Sequence, residues 1–139
     1  MRSLALTLLA ATVCASLSTA APVPKELKNR PDAERYVGAW DTVVSESNGQ
    51  PYNKACWTFD ADLKMVSNGG GGGTSHWVIK IDPTKSPKTI DIGSYPGVYD
   101  FDGADIRIAY TLGGARPLEV KSGPGVYYSV LRRVAEAKK

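Results

Sequence analysis

The feature that most constrains this chain is a series of short runs in which apolar and polar residues alternate. In one such run Ile106, Ile108 and Tyr110 alternate with polar or small neighbours. A period of two is typical of a β-strand with one buried face. Asp102-Gly103 precedes this run, and the pair favours a tight hairpin because both residues tolerate positive φ. The pattern therefore predicts antiparallel strands joined by short turns.

The same pattern recurs from residue 36 to residue 134, without a convincing long helix. One predicted strand has Trp40, Thr42 and Val44 on one face, and a later, short one contains Leu118 and Val120. We count eight or nine strands. Many short strands with close turns are typical of an antiparallel sandwich or barrel, and closure removes exposed strand edges. The predicted fold is all-β, an antiparallel up-and-down barrel of eight or nine short strands.

The interior of such a barrel is supplied with large aromatic side chains. A barrel of about eight strands is either filled by side chains or holds one small ligand. Aromatic lining is typical of pockets for apolar or amphipathic molecules. The sequence leaves open whether the interior is hollow or filled. The predicted ligand-binding residues are Trp40, Trp57, Trp77, Tyr99, Phe101 and Tyr128.

Residues 1–20 have the layout of a secretory signal peptide. Arg2 precedes an apolar run from Leu4 to Leu17, and Ser18 and Ala20 occupy the −3 and −1 positions of a cleavage site. The run is shorter than the roughly 20 residues that span a bilayer. We expect cleavage after Ala20 and an exported protein, periplasmic or extracellular, that keeps no membrane span.

The remaining chain divides into three parts. Residues 21–35 contain three prolines and are predicted to be a tether with at most one helical turn. Residues 36–134 form the predicted barrel domain, and residues 135–139 a charged tail. Cleavage would remove Cys14 and leave Cys56 alone, so the mature chain could form no internal disulfide. Because Cys56 adjoins Trp57 in an apolar run, we expect it to be a small buried hydrophobe.

The composition limits the chemistry that this chain can perform. His76 is the only histidine among 139 residues, and we expect it to point to solvent, opposite to Trp77. A Ser-His-Asp or Cys-His unit would have to use this residue, and a structural zinc site usually needs four N or S ligands. We therefore predict no catalytic residue, no metal site and no cofactor. A hydrolase that uses His76 is the less favoured alternative.

Charge and glycine content do not favour a polyanion as partner. The formal net charge is only +3. The pairs Tyr127-Tyr128 and Arg132-Arg133 fit a barrel wall better than a nucleic-acid surface, since adjacent strand residues face opposite sides. Residues 69–73 are five glycines without the lysine of a phosphate-binding loop, so they are interpreted as a loose connection between strands. The predicted partners are a small apolar ligand or an envelope protein, and no nucleic acid.

A resemblance supports the barrel prediction. Gly38-Ala39-Trp40, at the start of the first predicted strand, matches the Gly-x-Trp signature of lipocalins. Further blocks follow in order: IDPTKSPKTID at residues 81–91, Gly97-Val98-Tyr99, Asp102-Gly103, Arg116-Pro117 and Leu131-Arg132-Arg133. Together they resemble a small lipocalin-like domain family of unknown function that is abundant in planctomycete bacteria. The five glycines at residues 69–73 depart from its pattern.

The resemblance covers residues 36–134 and implies a lipocalin-like barrel, usually exported. It also implies a barrel end closed by Gly38 and Trp40, with Arg132 or Arg133 packed on the tryptophan. It implies no activity. The leading hypothesis is a non-enzymatic barrel that binds a small apolar or amphipathic molecule. The alternative is a solid-core structural or protein-interaction module of the cell envelope.

Overall fold

The computed structural model describes residues 30–69 and 72–134. The predicted signal peptide, tether residues 21–29 and the predicted charged tail lie outside the described residues. The described residues form one short helix and nine strands, with these bounds: α1 Asp32–Tyr36, β1 Gly38–Ser47, β2 Gln50–Pro51, β3 Ala55–Phe59, β4 Lys64–Gly69, β5 Thr74–Asp82, β6 Lys88–Ile92, β7 Tyr95–Asp102, β8 Asp105–Tyr110 and β9 Tyr127–Arg133.

The strands form a closed antiparallel barrel. Each of β3 to β9 pairs with its neighbour in sequence, β1 pairs with β3, and pairing of β1 with β9 closes the sheet. Strand β2 is an additional short strand that pairs with the end of β1. Eight strands therefore form the barrel wall, which confirms the predicted all-β up-and-down architecture. No helix in the described part of the chain is long and apolar enough to cross a membrane.

The first strand contains an irregularity that changes which of its residues face inward. Thr42 pairs with Leu131, but Val44 pairs with Val130, so Val43 forms a β-bulge. A bulge adds one residue and reverses the alternation beyond it. Thr42 is buried, whereas Val44 lies on the outer face with Val130. The expectation that Trp40, Thr42 and Val44 share a face is therefore wrong for Val44.

The predicted short strand at Leu118 and Val120 is also wrong. Residues 111–126 form no strand, and Leu118 is 87% exposed. The segment contains several glycines and prolines, and β8 pairs directly with β9 across it. Because the wall is complete without this segment, no neighbouring strand remains for it to join. The segment is a long loop at one end of the barrel.

The two ends of the barrel differ in their connections. The end that receives α1 and the terminus of β9 has the short turns after β3 and β7 and the loop between β5 and β6. We call it the closed end. The other end has the turn around Gly49, the glycine connection after β4, the turn after β6 and the long loop at residues 111–126. We call it the open end.

Candidate functional site

The interior of the barrel is hollow at the open end. Two cavities lie there, of about 220 Å³ and 240 Å³. Because they have many lining residues in common, they are two halves of one space, which we call the cleft. The shared lining residues are Tyr52, Trp57, Ser67, Tyr110 and Tyr127.

One half of the cleft is lined by hydroxyl groups. We call its Ser and Thr residues the hydroxyl wall: Thr42, Ser45, Ser67 and Ser129. The Thr42 hydroxyl accepts a hydrogen bond from the Ala55 amide at 2.6 Å and lies 3.0 Å from the Ala55 carbonyl oxygen. The Ser45 hydroxyl donates to the carbonyl oxygen of Asn53 at 2.9 Å. Thr42 and Ser45 thus connect β1 to the chain around β3, beyond the point where direct pairing of these strands ends.

The other half of the cleft is lined by apolar and aromatic groups. We call its apolar and aromatic residues the apolar wall: Met65, Trp77, Ile92, Tyr95 and Leu112. Ser75 also lines this half, at its edge, where it is exposed. The rings of Trp77 and Tyr95 lie 5.2 Å apart. These residues come mainly from β4 to β7, which lie across the barrel from β1 and β9. The cleft is therefore amphipathic, because Thr42, Ser45 and Ser129 lie on β1 and β9, across the barrel from β5 to β7. Strand β4 lies between the two sides and contributes both Ser67 and Met65.

Three tyrosines form a continuous aromatic row between the two walls. The rings of Tyr110 and Tyr127 are stacked at 5.4 Å, and Tyr52 meets Tyr127 edge-on at 5.6 Å. Burial raises the pKa of Tyr110 to about 12, with smaller effects of Tyr127, Tyr52 and Tyr95 in the same direction. The raised pKa shows that this part of the cleft disfavours negative charge.

The closed end is filled by side chains. Tyr36, at the end of α1, is fully buried and meets Phe59, Tyr99 and Phe101 edge-on at 5.2–5.8 Å between ring centres. Trp40 is 1% exposed and donates its indole N–H to the Tyr36 carbonyl oxygen at 2.7 Å. An indole N–H that is buried needs such a partner. Helix α1 therefore closes this end of the barrel by both packing and hydrogen bonding.

An arginine from the last strand completes this closure. The Arg133 guanidinium lies 4.3 Å from the Trp40 ring centre, which is a cation–π distance. The same group donates to the carbonyl oxygens of Val37 and Arg35 at 2.8 and 2.9 Å. The other candidate, Arg132, faces outward and forms an ion pair with Asp105 at 2.9 Å. Of the two arginines, Arg133 is thus the one that packs on the tryptophan.

Gly38 allows Arg133 to reach this position. A Cβ atom at residue 38 would lie 2.5 Å from Nη1 of Arg133, well inside contact distance. The φ of Gly38 is +129°, which L side chains rarely adopt. Both the backbone conformation and the space therefore require glycine here, two residues before Trp40.

A polar cluster borders the filled end. The Asp32 carboxylate accepts hydrogen bonds from Lys88 Nζ and from the Tyr99 hydroxyl, both at 2.8 Å. Burial and the hydrogen bond to Asp32 raise the pKa of Tyr99 far above its usual range. The Arg35 guanidinium covers the Phe101 ring at 3.6 Å. These contacts fix α1, which belongs to the predicted tether, to strands β6 and β7.

The structure separates the six predicted ligand-binding residues into three groups. Trp57 and Trp77 line the cleft. Trp40, Tyr99 and Phe101 belong to the filled closed end and line neither half of the cleft.

The placement of Tyr128 on the inner face is wrong. Tyr128 pairs with Ala109 and Glu46, whereas Tyr127 pairs with Tyr110 and lines the cleft. Tyr127 and Tyr128 are chemically equivalent in sequence, and only the register of β9 distinguishes them. Tyr52 was missed because its loop carries no periodic signal.

The reactive side chains considered in the sequence lie on the outer face. His76 is exposed on β5, as expected from its alternation with Trp77. Cys56 is half-buried on the outer face beside Asp41, so the expectation of a core cysteine is wrong. Partial burial, reinforced by Asp41, raises the pKa of the Cys56 thiol. Within residues 30–69 and 72–134, no group of three or more His, Cys, Asp or Glu side chains could hold a metal ion.

No protein-family model, curated protein or solved structure matches this chain.

Proposed function

We propose that this protein is an exported, non-enzymatic, lipocalin-like barrel that binds one small apolar or amphipathic molecule in the cleft. The observation that carries the proposal is the hollow open end, where Trp57 and Trp77 line a space of two connected halves. Aromatic surfaces with a few polar groups are typical of small-molecule sites. The Trp40, Tyr99 and Phe101 side chains fill the opposite end, so we assign them a structural role.

The size of the cleft limits the ligand. Each half has a volume of about 220–240 Å³, so the whole cleft lies at the small end of the roughly 300–1,000 Å³ typical of pockets for drug-sized molecules. A single ring with a short substituent fits such a space, whereas a long acyl chain or a polycyclic molecule would have to project from the open end.

Two further observations are consistent with the proposal. The contact of Arg133 with Trp40 above Gly38 is the arrangement that the resemblance to lipocalin-like domains implies. The predicted signal peptide supports export to the periplasm or the medium, where a barrel of this kind would meet small extracellular molecules. We propose family membership and export together with the binding function.

Tryptophan fluorescence provides the test. Neutral alkylphenols, with 4-propylphenol as the first probe, would be titrated into the protein with excitation selective for tryptophan. We expect a saturable change, because Trp57 and Trp77 line the cleft. The variant Trp40→Phe should retain that change, since Trp40 lies at the closed end.

A variant that fills the cleft sharpens this test. Ser67 lines both halves of the cleft, so Ser67→Leu should abolish the saturable signal while circular dichroism remains that of a folded barrel. Thr58→Leu is the matched control, because Thr58 lies exposed on the outer face of β3. Equal binding by Ser67→Leu and wild type, or no saturation with any alkylphenol, would refute the proposal.

The alternative function, a protein-interaction module of the envelope, is favoured by a different observation. Leu118 is 87% exposed in the loop at residues 111–126, beside Pro117 and Pro124. Exposed apolar groups that cluster mark interaction surfaces. Pull-down from envelope extracts with wild type and Leu118→Ser tests this alternative. A specific partner that is lost with Leu118→Ser and retained with Ser67→Leu would favour it over small-molecule binding.

A further inference from the structure

We infer that the cleft selects an uncharged amphipathic molecule, with a hydrogen-bonding group at the hydroxyl wall and a ring or alkyl group at the apolar wall. The inference rests on the proposed binding function and deepens it by naming the chemical class and the orientation of the ligand. The position of the Thr42, Ser45 and Ser129 hydroxyls on β1 and β9, across the barrel from the apolar side chains of β5 to β7, carries it.

The hydroxyl wall offers groups that can interact with a ligand. Thr42 and Ser45 already bond to the backbone of Ala55 and Asn53. Among the described residues, the hydroxyls of Ser67 and Ser129 form no hydrogen bond with another protein group. Both serines face inward, because Ser129 pairs with Ile108 and Ser67 with Trp57. A hydroxyl donates one hydrogen bond and accepts two, so these serines can serve a ligand hydroxyl or carbonyl group.

The apolar wall offers a surface for a ring. Trp77 and Tyr95 lie in contact there, and their cross-strand partners Met65 and Ile92 line the same half. Aromatic pairs prefer offset or edge-to-face packing, and a third ring can extend this arrangement. An amphipathic molecule that spans the cleft would therefore place its apolar part on β5 to β7.

The charges around the cleft disfavour an ionised ligand. The half with the apolar wall has no Asp, Glu, Lys, Arg or His among its described lining residues. The half with the hydroxyl wall has Glu46 and Lys54, whose charges oppose each other, and Lys54 is exposed. An anion would lose its hydration without gaining a buried cation as partner, which is costly. The raised pKa of Tyr110 is consistent with a lining that resists negative charge.

Three probes of similar size test the inference: 4-propylphenol, propylbenzene and 4-propylbenzoate. For wild type we expect 4-propylphenol to bind about tenfold more tightly than propylbenzene, since one hydrogen bond is worth on the order of that ratio. At neutral pH we expect 4-propylbenzoate to bind at least about a hundredfold more weakly than the phenol. Isothermal titration calorimetry measures all three affinities without a chromophore.

Variants of the two walls separate the two contributions. In the double variant Ser67→Ala, Ser129→Ala, the preference for 4-propylphenol over propylbenzene should fall to within about twofold. Trp77→Ala should weaken both probes by similar factors and leave their ratio unchanged. Thr58→Ala, on the outer face of β3, is the matched control and should leave affinities and ratio as in wild type. Circular dichroism shows whether each variant is folded.

The outcomes distinguish the inference from the proposed function. If 4-propylphenol binds but the serine variant keeps the full preference, or if the benzoate binds as tightly, the inference is refuted and the binding function stands. If none of the three probes binds wild type, the binding function fails, and the inference fails with it. The inference is supported if the serine double variant loses the preference for 4-propylphenol over propylbenzene while Trp77→Ala and Thr58→Ala keep it.

Discussion

The two ends of this barrel are built from the same strands and similar aromatic residues, yet one end is filled and the other is hollow. At the closed end Trp40 is 1% exposed, and its N–H, its ring face and its edges are all in contact with other groups. At the open end Trp77 is only partly buried, contacts Tyr95 and lines the cleft.

The difference arises from what covers each end. Helix α1 places Tyr36 inside the closed end and supplies carbonyl oxygens to Trp40 and Arg133. In the part of the chain that the structure describes, no helix covers the open end, where loops only surround the cleft. Stability should therefore depend mainly on closed-end residues and binding on open-end residues.

Replacing a tryptophan by alanine should destabilise the protein far more at the closed end than at the open end, and this is the largest effect that we expect. Trp40→Ala removes a fully buried indole and its hydrogen bond, and should lower the free energy of unfolding by about 3–5 kcal/mol. Trp77→Ala removes a partly buried ring and should lower it by about 1–2 kcal/mol. Denaturant unfolding measures both. Equal losses would contradict the division between the two ends.

A smaller effect is expected at Gly38. Gly38→Ala places a methyl group against the Arg133 guanidinium and forces alanine to positive φ, which should cost about 2 kcal/mol. Gly73→Ala, at the open end, has negative φ and nothing within 4 Å, and serves as the control. Thermal and denaturant unfolding measure the losses. If Gly73→Ala were as destabilising, the special role of Gly38 would be disproved.

At the open end, burial of Tyr110 should make the stability of the protein depend on pH in the alkaline range. Its folded-state pKa of about 12 exceeds the value of 10.0 that a solvent-exposed tyrosine has. Below pH 10 the phenol is protonated in both states and its contribution to stability is complete. Between pH 10 and pH 12 the unfolded state ionises first, so stability falls.

The size of this loss follows from the shift in pKa. From pH 9 to pH 11 we expect about 1.4 kcal/mol from this residue alone. Tyr110→Phe should therefore lose less stability than wild type over that interval in denaturant titrations. Other tyrosines also ionise over this pH interval in the unfolded state and lower the stability of both proteins. The measured quantity is therefore the difference between the pH profiles of the two proteins. Identical pH profiles would show that Tyr110 is not in a water-poor site.

The smallest effect is expected for the ion pair at the edge of the closed end. Lys88→Met removes a half-exposed cation from Asp32 but leaves the hydrogen bond from Tyr99. Exposed or half-exposed pairs contribute little, so we expect a loss of about 0.5–1 kcal/mol that shrinks in high salt. Unfolding at low and high ionic strength checks it. A loss as large as that of Trp40→Ala would mean that charge, not packing, holds this end closed.

The sequence predicted the wall of the barrel better than its irregularities. Alternation along Ile106, Ile108 and Tyr110 predicted β8 because each inward residue is followed by an outward one. The orientations of Val44 and Tyr128 could not be predicted in this way. A single bulge at Val43 reverses the faces beyond it, and the register of β9 selects Tyr127 instead of Tyr128.

The lining of the cleft could also be predicted only in part from the sequence. Trp57 and Trp77 were identified because aromatic residues on inward strand positions are visible in the sequence. Ser67 and Ser129 were not, since an isolated serine in a strand has the same appearance whether it lines a cavity or faces solvent. Tyr52 lies in an irregular loop, and its place at the cleft depends on its ring contact with Tyr127 and on the hydrogen bond from its amide to the Ser45 carbonyl oxygen.

The sequence by itself determined that this chain forms an antiparallel barrel, because strand periodicity and turn residues are local properties. The sequence also contains Gly38 two residues before Trp40, but glycine is required there because of the approach of Arg133 and the positive φ, which only the tertiary structure defines. Only the tertiary structure decided which end is filled, because that depends on α1 packing against strands distant in sequence. The same long-range packing left the open end hollow and placed hydroxyl and aromatic side chains from seven different strands and one loop around one cleft.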